Sequence, residues 1–266
     1  MSPDVRQFAL AILIEDRLER KLVPFDGPLE DAEPPLLLAE PGRPPDLRIS
    51  RAKVRVPPIA GMRDPSQRVR ILHALANHEL QAIELFAWAL LAFPDAPIAF
   101  KRGLVAILHD EQRHLAMYMQ RLEALDSRFG AFPVTGHFWN KLEHYSTPLR
   151  FVCAMGLTFE NANLDFAGEY ARAARACGDL ATAEVLERVH HDEIAHVHFG
   201  WTWMRKLAGE ADPWDAFMAN TAFPLGPRRA RGATFDREAR ERAGMSEEFI
   251  AALEATEPKR PSGESR

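Results

Sequence analysis

Two cysteines, Cys153 and Cys177, are all that 266 residues contain. No disulfide framework can be built from them, and such sparing use suits a reducing cytosol. Long apolar runs are missing as well. None approaches the roughly 18 residues that a membrane-spanning helix needs. The one apolar stretch near the start, Phe8 to Ile14, is preceded by Asp4 and followed by Glu15-Asp16, with no small-residue cleavage site, so it does not read as a secretory signal. Positive charge is not in surplus either. A net charge of −5 and a pI near 6.1 argue against wholesale nucleic-acid binding. These absences lead to the expectation of a cytoplasmic protein with no membrane partner, long enough for one substantial core.

What is present is a repeated hexapeptide. His109-Asp110-Glu111-Gln112-Arg113-His114 and His191-Asp192-Glu193-Ile194-Ala195-His196 share the pattern HDExxH, and a glutamate stands upstream of each, Glu79 and Glu160. The order Glu, Glu-x-x-His, Glu, Glu-x-x-His is what four helices need to hold two metal ions between carboxylates and imidazoles.

Punctuation around these motifs predicts four long helices, over 65–92, 97–126, 148–176 and 180–208. Three open on a capping side chain beside a proline, at Asp64-Pro65, Asp95-Ala96-Pro97 and Thr147-Pro148. The fourth starts near Asp179 and stops at Gly209, a candidate left-handed cap. Helices one and two, like three and four, are joined by a few residues, so each pair is an antiparallel hairpin. Ser127 to Ser146 is long enough, at about 3.3 Å per residue, to run the length of such a hairpin. The predicted fold class is therefore all-α, a four-helix bundle of two antiparallel hairpins with one long crossover.

The flanks differ in character, which divides the chain into 1–63, 64–209 and 210–266. Residues 2–21 predict an amphipathic helix capped by Ser2-Pro3, with Val5, Phe8, Ala9, Ile12 and Leu13 on one face. The Pro-rich stretch from Pro24 to Pro58 predicts an extended arm that wraps the helices. Short helices are expected near 213–220, 236–243 and 246–255, then a disordered polar tail from about Glu257.

Positions three apart on a helix project from nearly one face, so Glu111 with His114, and Glu193 with His196, each offer an ion a carboxylate oxygen and an imidazole nitrogen from one rigid element. Glu79 and Glu160 add carboxylates from the other two helices. All four glutamates lie on otherwise apolar stripes, where burial without a counter-charge would cost several kcal/mol each. Four carboxylates and two histidines suit two octahedral Fe or Mn ions better than zinc or copper. Spacing alone also permits Asp110 with His114 as a ligand pair.

These residues resemble the di-iron carboxylate branch of the ferritin-like superfamily, in which the four helices carry Glu, DExxH, Glu and DExxH. The match runs over roughly 65–208, and the whole chain resembles a bacterial ferritin-like family of unknown function. The resemblance implies that Glu79, Glu111, His114, Glu160, Glu193 and His196 hold the metals, while Asp110 and Asp192 accept the other N–H of each histidine and fix its tautomer. It implies two Fe ions, with Mn or a mixed Mn/Fe pair as the alternative. It also implies activation of O2 or peroxide by an oxidase or monooxygenase, with an unknown small-molecule substrate and an external electron donor. The other expectations are a manganese catalase-like peroxide scavenger and a non-catalytic metal-binding or iron-handling protein. The arm and tail predict a monomer or dimer rather than a storage shell.

Other residues carry plainer expectations. His73, His78, His109, His190, His191 and His198 fall off the ligand stripes. Glu84 and Asp165, five residues past Glu79 and Glu160, are expected in solvated or inter-helix polar roles. Tyr118 and Cys153 are expected in the core. Gly156 and Gly200 predict a small cavity walled by Ile83, Phe86, Leu104 and Ile107, with tight helix packing as their alternative use. Arg228, Arg229, Arg231, Arg237, Arg240 and Arg242 are expected on a solvated surface, an anionic contact being the sharper reading.

Overall fold

The computed structural model describes residues 3–258, and among them the chain is all-helical, with one isolated bridge, Ile49 to Val134, as its only β pairing. It divides into two compact units, Met1–Leu142 and Glu143–Arg266. Each combines one predicted helix hairpin with the flanking segment on its own side.

In the first unit, α1 (Val5–Ile14) is capped by Asp4, whose side chain accepts from the Gln7 amide at 2.8 Å, and it buries the five residues expected on its apolar face. The sequence reading of one helix over 2–21 is corrected here. Glu15 ends α1 in extended backbone, and a separate turn, α2 (Leu18–Lys21), follows. Ser2, the expected cap, lies outside the described residues, as does the end of the polar tail.

The long hairpin is α3 (Pro65–Ala92) and α4 (Ile98–Glu123). Asp64 caps α3 by accepting from the Ser66 and Gln67 amides, with Pro65 at the first helical position. Pro97 sits just outside α4 rather than inside it, and α4 ends three residues early, where Asp126 adopts φ 56°. The Pro-rich arm lies against both helices, the Phe25 amide donating to His109 Nε2 on α4. The Leu36 amide donates to the Leu91 carbonyl at 3.0 Å, Trp88 Nε1 donates to the Leu38 carbonyl at 3.1 Å, and Gln112 Nε2 donates to the Lys21 carbonyl at 2.8 Å.

The long connection after α4 follows α3. His73 Nε2 accepts from the Gly130 amide, Asn77 Nδ2 donates to the Thr135 carbonyl, Gln81 accepts from the Phe138 amide, and Trp139 Nε1 donates to Glu84. The anchors on α3 climb from residue 73 to 84, about 16 Å of helix.

In the second unit, α5 (Pro148–Ala154) is capped by Thr147 and continues into a π-helical turn, Met155–Glu160, then α6 (Asn161–Ala176). The unbroken helix predicted over 148–176 thus contains a wide turn. A π turn leaves carbonyls short of their usual partners, and the Thr158 hydroxyl takes one by donating to the Cys153 carbonyl at 2.9 Å. After Gly178 in positive φ, Asp179 caps α7 (Leu180–Ala208), which ends at Gly209 with φ 65°. The C-terminal helices α8 (Pro213–Asn220), α9 (Arg237–Arg242) and α10 (Glu247–Glu254) fall within a residue of expectation. Stacking of Trp201, Trp214, Phe217 and Phe249 holds α8 and α10 to α7, with ring centroids 5.1 to 5.5 Å apart for the pairs to Phe249. No described helix is long and apolar enough to cross a membrane.

The cavity expected from the two glycines is corrected. Gly156 and Gly200 face each other backbone to backbone: a Cβ added to Gly156 would lie 2.8 Å from the Gly200 Cα, and one added to Gly200 would lie 2.9 Å from the Gly156 Cα. Both are spent on close approach of the π turn to α7, so nothing is left open by the missing side chains.

Candidate metal centre

Each unit brings the glutamate of one long helix to the Glu-x-x-His pair of the other. In the first unit, Glu79 comes from α3 and Glu111 and His114 from α4. His114 Nδ1 lies 3.6 Å from Glu111 Oε2 and 3.9 Å from Glu79 Oε2. In the second unit, Glu160 closes the π turn, and Glu193 and His196 come from α7. His196 Nδ1 lies 3.1 Å from Glu193 Oε2. One ligand atom from each member of a triad lies within 4.8 Å of the others. All six predicted ligands are buried, and these groups could hold a metal ion.

Within each motif the glutamate is the more deeply buried acid. Glu111 is 1% exposed, whereas the Asp110 side chain is 25% exposed and pairs with Arg113 Nη1 at 2.5 Å. In the second copy, Asp192 accepts from Arg188 Nε at 3.0 Å, while Glu193 is buried. Both aspartates flank the triads from the partly exposed side of their helices.

The chemistry of the donors is that of a cation site. Each triad gathers two carboxylates and an imidazole within a few ångströms of buried space, a set of oxygen and nitrogen donors that suits a metal cation. The buried cations among the described residues are committed elsewhere. Lys21 and Arg43 pair with Glu84, Arg240 pairs with Asp165, Lys101 donates to the Pro94 carbonyl, and Arg231 donates to the Gly232, Glu254 and Thr256 carbonyls. None of these five reaches a triad carboxylate.

A family model described as "Protein of unknown function (DUF455)" matches residues 6–251. The chain belongs to the DUF455 family. No curated protein and no solved structure matches it.

In this DUF455 chain, several residues set aside in the sequence prove to fasten its segments. Four histidines off the ligand stripes tie loops to helices. His73 accepts from Gly130, His109 Nε2 accepts from the Phe25 amide at 2.9 Å, His190 meets Asp236 at 3.0 Å, and His198 Nδ1 meets the Ala243 carbonyl at 2.9 Å. Burial, and then the Arg128 charge, push His73 down to about 4, so its ring is a neutral acceptor at ordinary pH. Burial raises the Cys153 thiol to about 12, which fits an inert core residue. Tyr118 is likewise buried.

The expectation of a solvated arginine stretch is corrected for two members. Arg240 and Arg231 are buried, Arg240 on Asp165 and Arg231 on backbone carbonyls. Arg237 stays at the surface on Glu247 and Glu254, which fits the original reading. Glu84 and Asp165 are buried inter-element anchors rather than solvated groups. The sequence reading missed Asn163, whose Nδ2 donates to Glu193 Oε1 at 2.8 Å. Its spacing of three from Glu160, the same as in Glu-x-x-His, was the available signal.

Proposed function

We propose that this protein is a ferritin-like di-iron carboxylate protein that activates O2 or peroxide, acting as an oxidase or monooxygenase on a small molecule. The observation that carries the reading is the pair of buried Glu, Glu, His triads built by two copies of one motif. Each triad would hold one ion, and on the ferritin-like reading the two ions form one dinuclear centre within a four-helix bundle. When bound, the iron pair supplies the redox chemistry.

The chain's own residues do the rest. Glu111 with His114, and Glu193 with His196, present two donors each from one rigid turn of helix. Glu79 and Glu160 would bring the further carboxylates, and His114 and His196 would each add an imidazole nitrogen. Asp110 and Asp192 stand four residues before the histidines and orient them on this reading, each held in turn by an arginine of its own helix. The apolar residues around the triads, Leu104, Ile107 and Leu108 on α4 and Leu186 and Val189 on α7, are buried and exclude water.

Loading with Fe(II) under anaerobic conditions tests this. Two irons per chain, magnetic coupling between them in EPR spectra, and O2 uptake on exposure to air are expected, and each is lost in Glu111→Ala and His196→Ala. Iron-loaded protein that consumes neither O2 nor peroxide would remove the oxidase reading. Disproportionation of peroxide by the Mn(II)-loaded protein without a reductant would transfer the assignment to a manganese catalase. Magnetically independent ions would remove the dinuclear centre.

A further inference from the structure

Charge is divided along the Pro-rich arm of the first unit. From Asp26 to Glu40 there are five acids and no lysine or arginine, whereas from Leu47 to Val56 there are Arg48, Arg51, Lys53 and Arg55 and no acid. The net charge of −5 therefore conceals a local surplus of the opposite sign. All four cationic residues are exposed. Surface arginines elsewhere hold acids, as Arg128 holds Asp46 and Arg175 holds Glu187, but among the described residues no acid pairs with these four.

The backbone under this basic segment is tied down. The Gly42 amide donates to the Leu13 carbonyl at 2.6 Å, the Ser50 amide to the Val134 carbonyl at 3.0 Å, and the Arg55 carbonyl accepts from Arg70 Nη2 at 3.3 Å. Beside the segment opens a cleft of about 410 Å³, lined by Arg48 and Arg51, by Asp16 and Glu40, and by the apolar Pro41 and Ile49. Arg43 also reaches it, but its guanidinium is committed to Glu84. Two cations and two acids of the wall are left for a ligand.

We propose that this face, Arg48 to Arg55 with the adjoining cleft, binds a single-stranded nucleic acid, its phosphates along the four cations and one nucleotide in the cleft. The proposal goes beyond the metal-centre reading and stands without it. Arginine outnumbers lysine three to one in the segment, and a guanidinium fork matches two phosphate oxygens where an ammonium offers a point charge. A nucleotide supplies both kinds of partner that the cleft wall offers to bind: phosphate oxygens for Arg48 and Arg51, and amino or ribose hydroxyl hydrogens for Asp16 and Glu40. The cleft has the size of a site for one small molecule, so it admits a single unstacked nucleotide and not a duplex. An anionic bilayer matches less well. It has no use for the two acids, and Arg48 to Arg55 include no aromatic or leucine to enter it.

Fluorescence anisotropy of the full chain with a labelled 12-nucleotide single strand of mixed sequence, made once as RNA and once as DNA, reads the binding. Saturable binding of at least one strand is expected at about 50 mM salt, with log K falling against log salt at a slope of about −3, or about −0.7 for each of four phosphates. Arg48→Gln, Arg51→Gln, Lys53→Gln and Arg55→Gln together should weaken binding by about tenfold or more. Arg172→Gln with Arg175→Gln, exposed on α6, should move it less than about twofold. All these side chains are at the surface, so the helical circular dichroism should match the wild type. Asp16→Ala with Glu40→Ala reads the cleft. Attraction by charge alone would grow tighter on the loss of two acids, whereas a nucleotide bonded to them is expected to bind about threefold or more weaker. Four results would each overturn the proposal: no binding of either strand, a duplex of the same length bound as tightly, full affinity in the four-glutamine variant, or tighter binding in the two-alanine variant. Binding of phosphatidylglycerol vesicles in place of either strand would also overturn it and give the face to a membrane.

Discussion

Arg43 and Glu84 form a two-pronged ion pair with both side chains buried: Nε donates to Oε1 at 2.9 Å and Nη2 to Oε2 at 2.6 Å. Lys21 Nζ, 3.2 Å away, and Trp139 Nε1, at 2.9 Å, complete the surroundings of the carboxylate. The second unit repeats the device. Asp165 accepts from Arg240 Nη1 at 2.8 Å and Nη2 at 2.9 Å, and from the Gly232 and Asp236 amides at 2.8 and 2.7 Å. Both acids stand five residues past a candidate ligand, Glu79 or Glu160. The flanking segment on each side is thus pinned, at the same place, to the helix that carries a candidate ligand.

Breaking the first hub leaves two buried cations without their counter-charge, so Glu84→Ala is expected to cost about 3–5 kcal/mol of stability. Arg43→Ala should cost less, because Lys21 still neutralises the carboxylate. Urea unfolding of both variants checks the order, and equal losses would deny Lys21 its part.

Asp165→Ala should loosen the C-terminal segment while leaving α1 and the arm protected. Hydrogen exchange is expected to speed up across 228–245 and to stay slow in α1. Uniform acceleration along the chain would mean that the anchor supports the whole fold rather than one segment.

His73 makes stability depend on pH. Its folded-state value near 4 lies below the 6.5 of an unfolded chain, so between those values only the unfolded state takes up the proton. Stability should therefore rise as pH climbs from about 4 to 6.5, by at most about 3 kcal/mol. His73→Gln, which cannot titrate, should flatten that window in denaturant unfolding measured at pH 4.5, 5.5 and 7.

Gly156→Ala should lower stability by roughly 1–3 kcal/mol, despite the gain of about 1 kcal/mol that alanine brings to a helix interior. The obstructing atoms are backbone and cannot rotate away. Gly168→Ala on α6 is the control. Its Cβ would meet the Arg172 guanidinium at 3.3 Å, a flexible group that can yield, so a neutral or raised melting temperature is expected.

Metal binding should show as stabilisation even without turnover. At a concentration 100 times its dissociation constant, an ion bound only by the folded state adds about 2.7 kcal/mol. Thermal unfolding with and without Mn(II) reads this, and the shift should shrink in Glu111→Ala and Glu193→Ala.

The bounds of α3 and α7 could be read directly from Asp64-Pro65, Asp179 and Gly209, because caps act over a few residues. The six ligand candidates were legible for a similar reason: three-residue spacing sets the face of a helix, and acids on apolar stripes are costly enough to be informative. What lay beyond the sequence depended on contacts between distant segments. Glu84 and Asp165 read as polar residues off the ligand face until Arg43 and Arg240 arrived from 41 and 75 residues away. The glycine pair left cavity and close packing both open until the π turn and α7 closed on each other. That Glu111 is buried and Asp110 partly exposed, which spacing left open, is a property of packed helices and not of helical period. Local rules set which residues could face one another, and only the assembled chain decided which of them did.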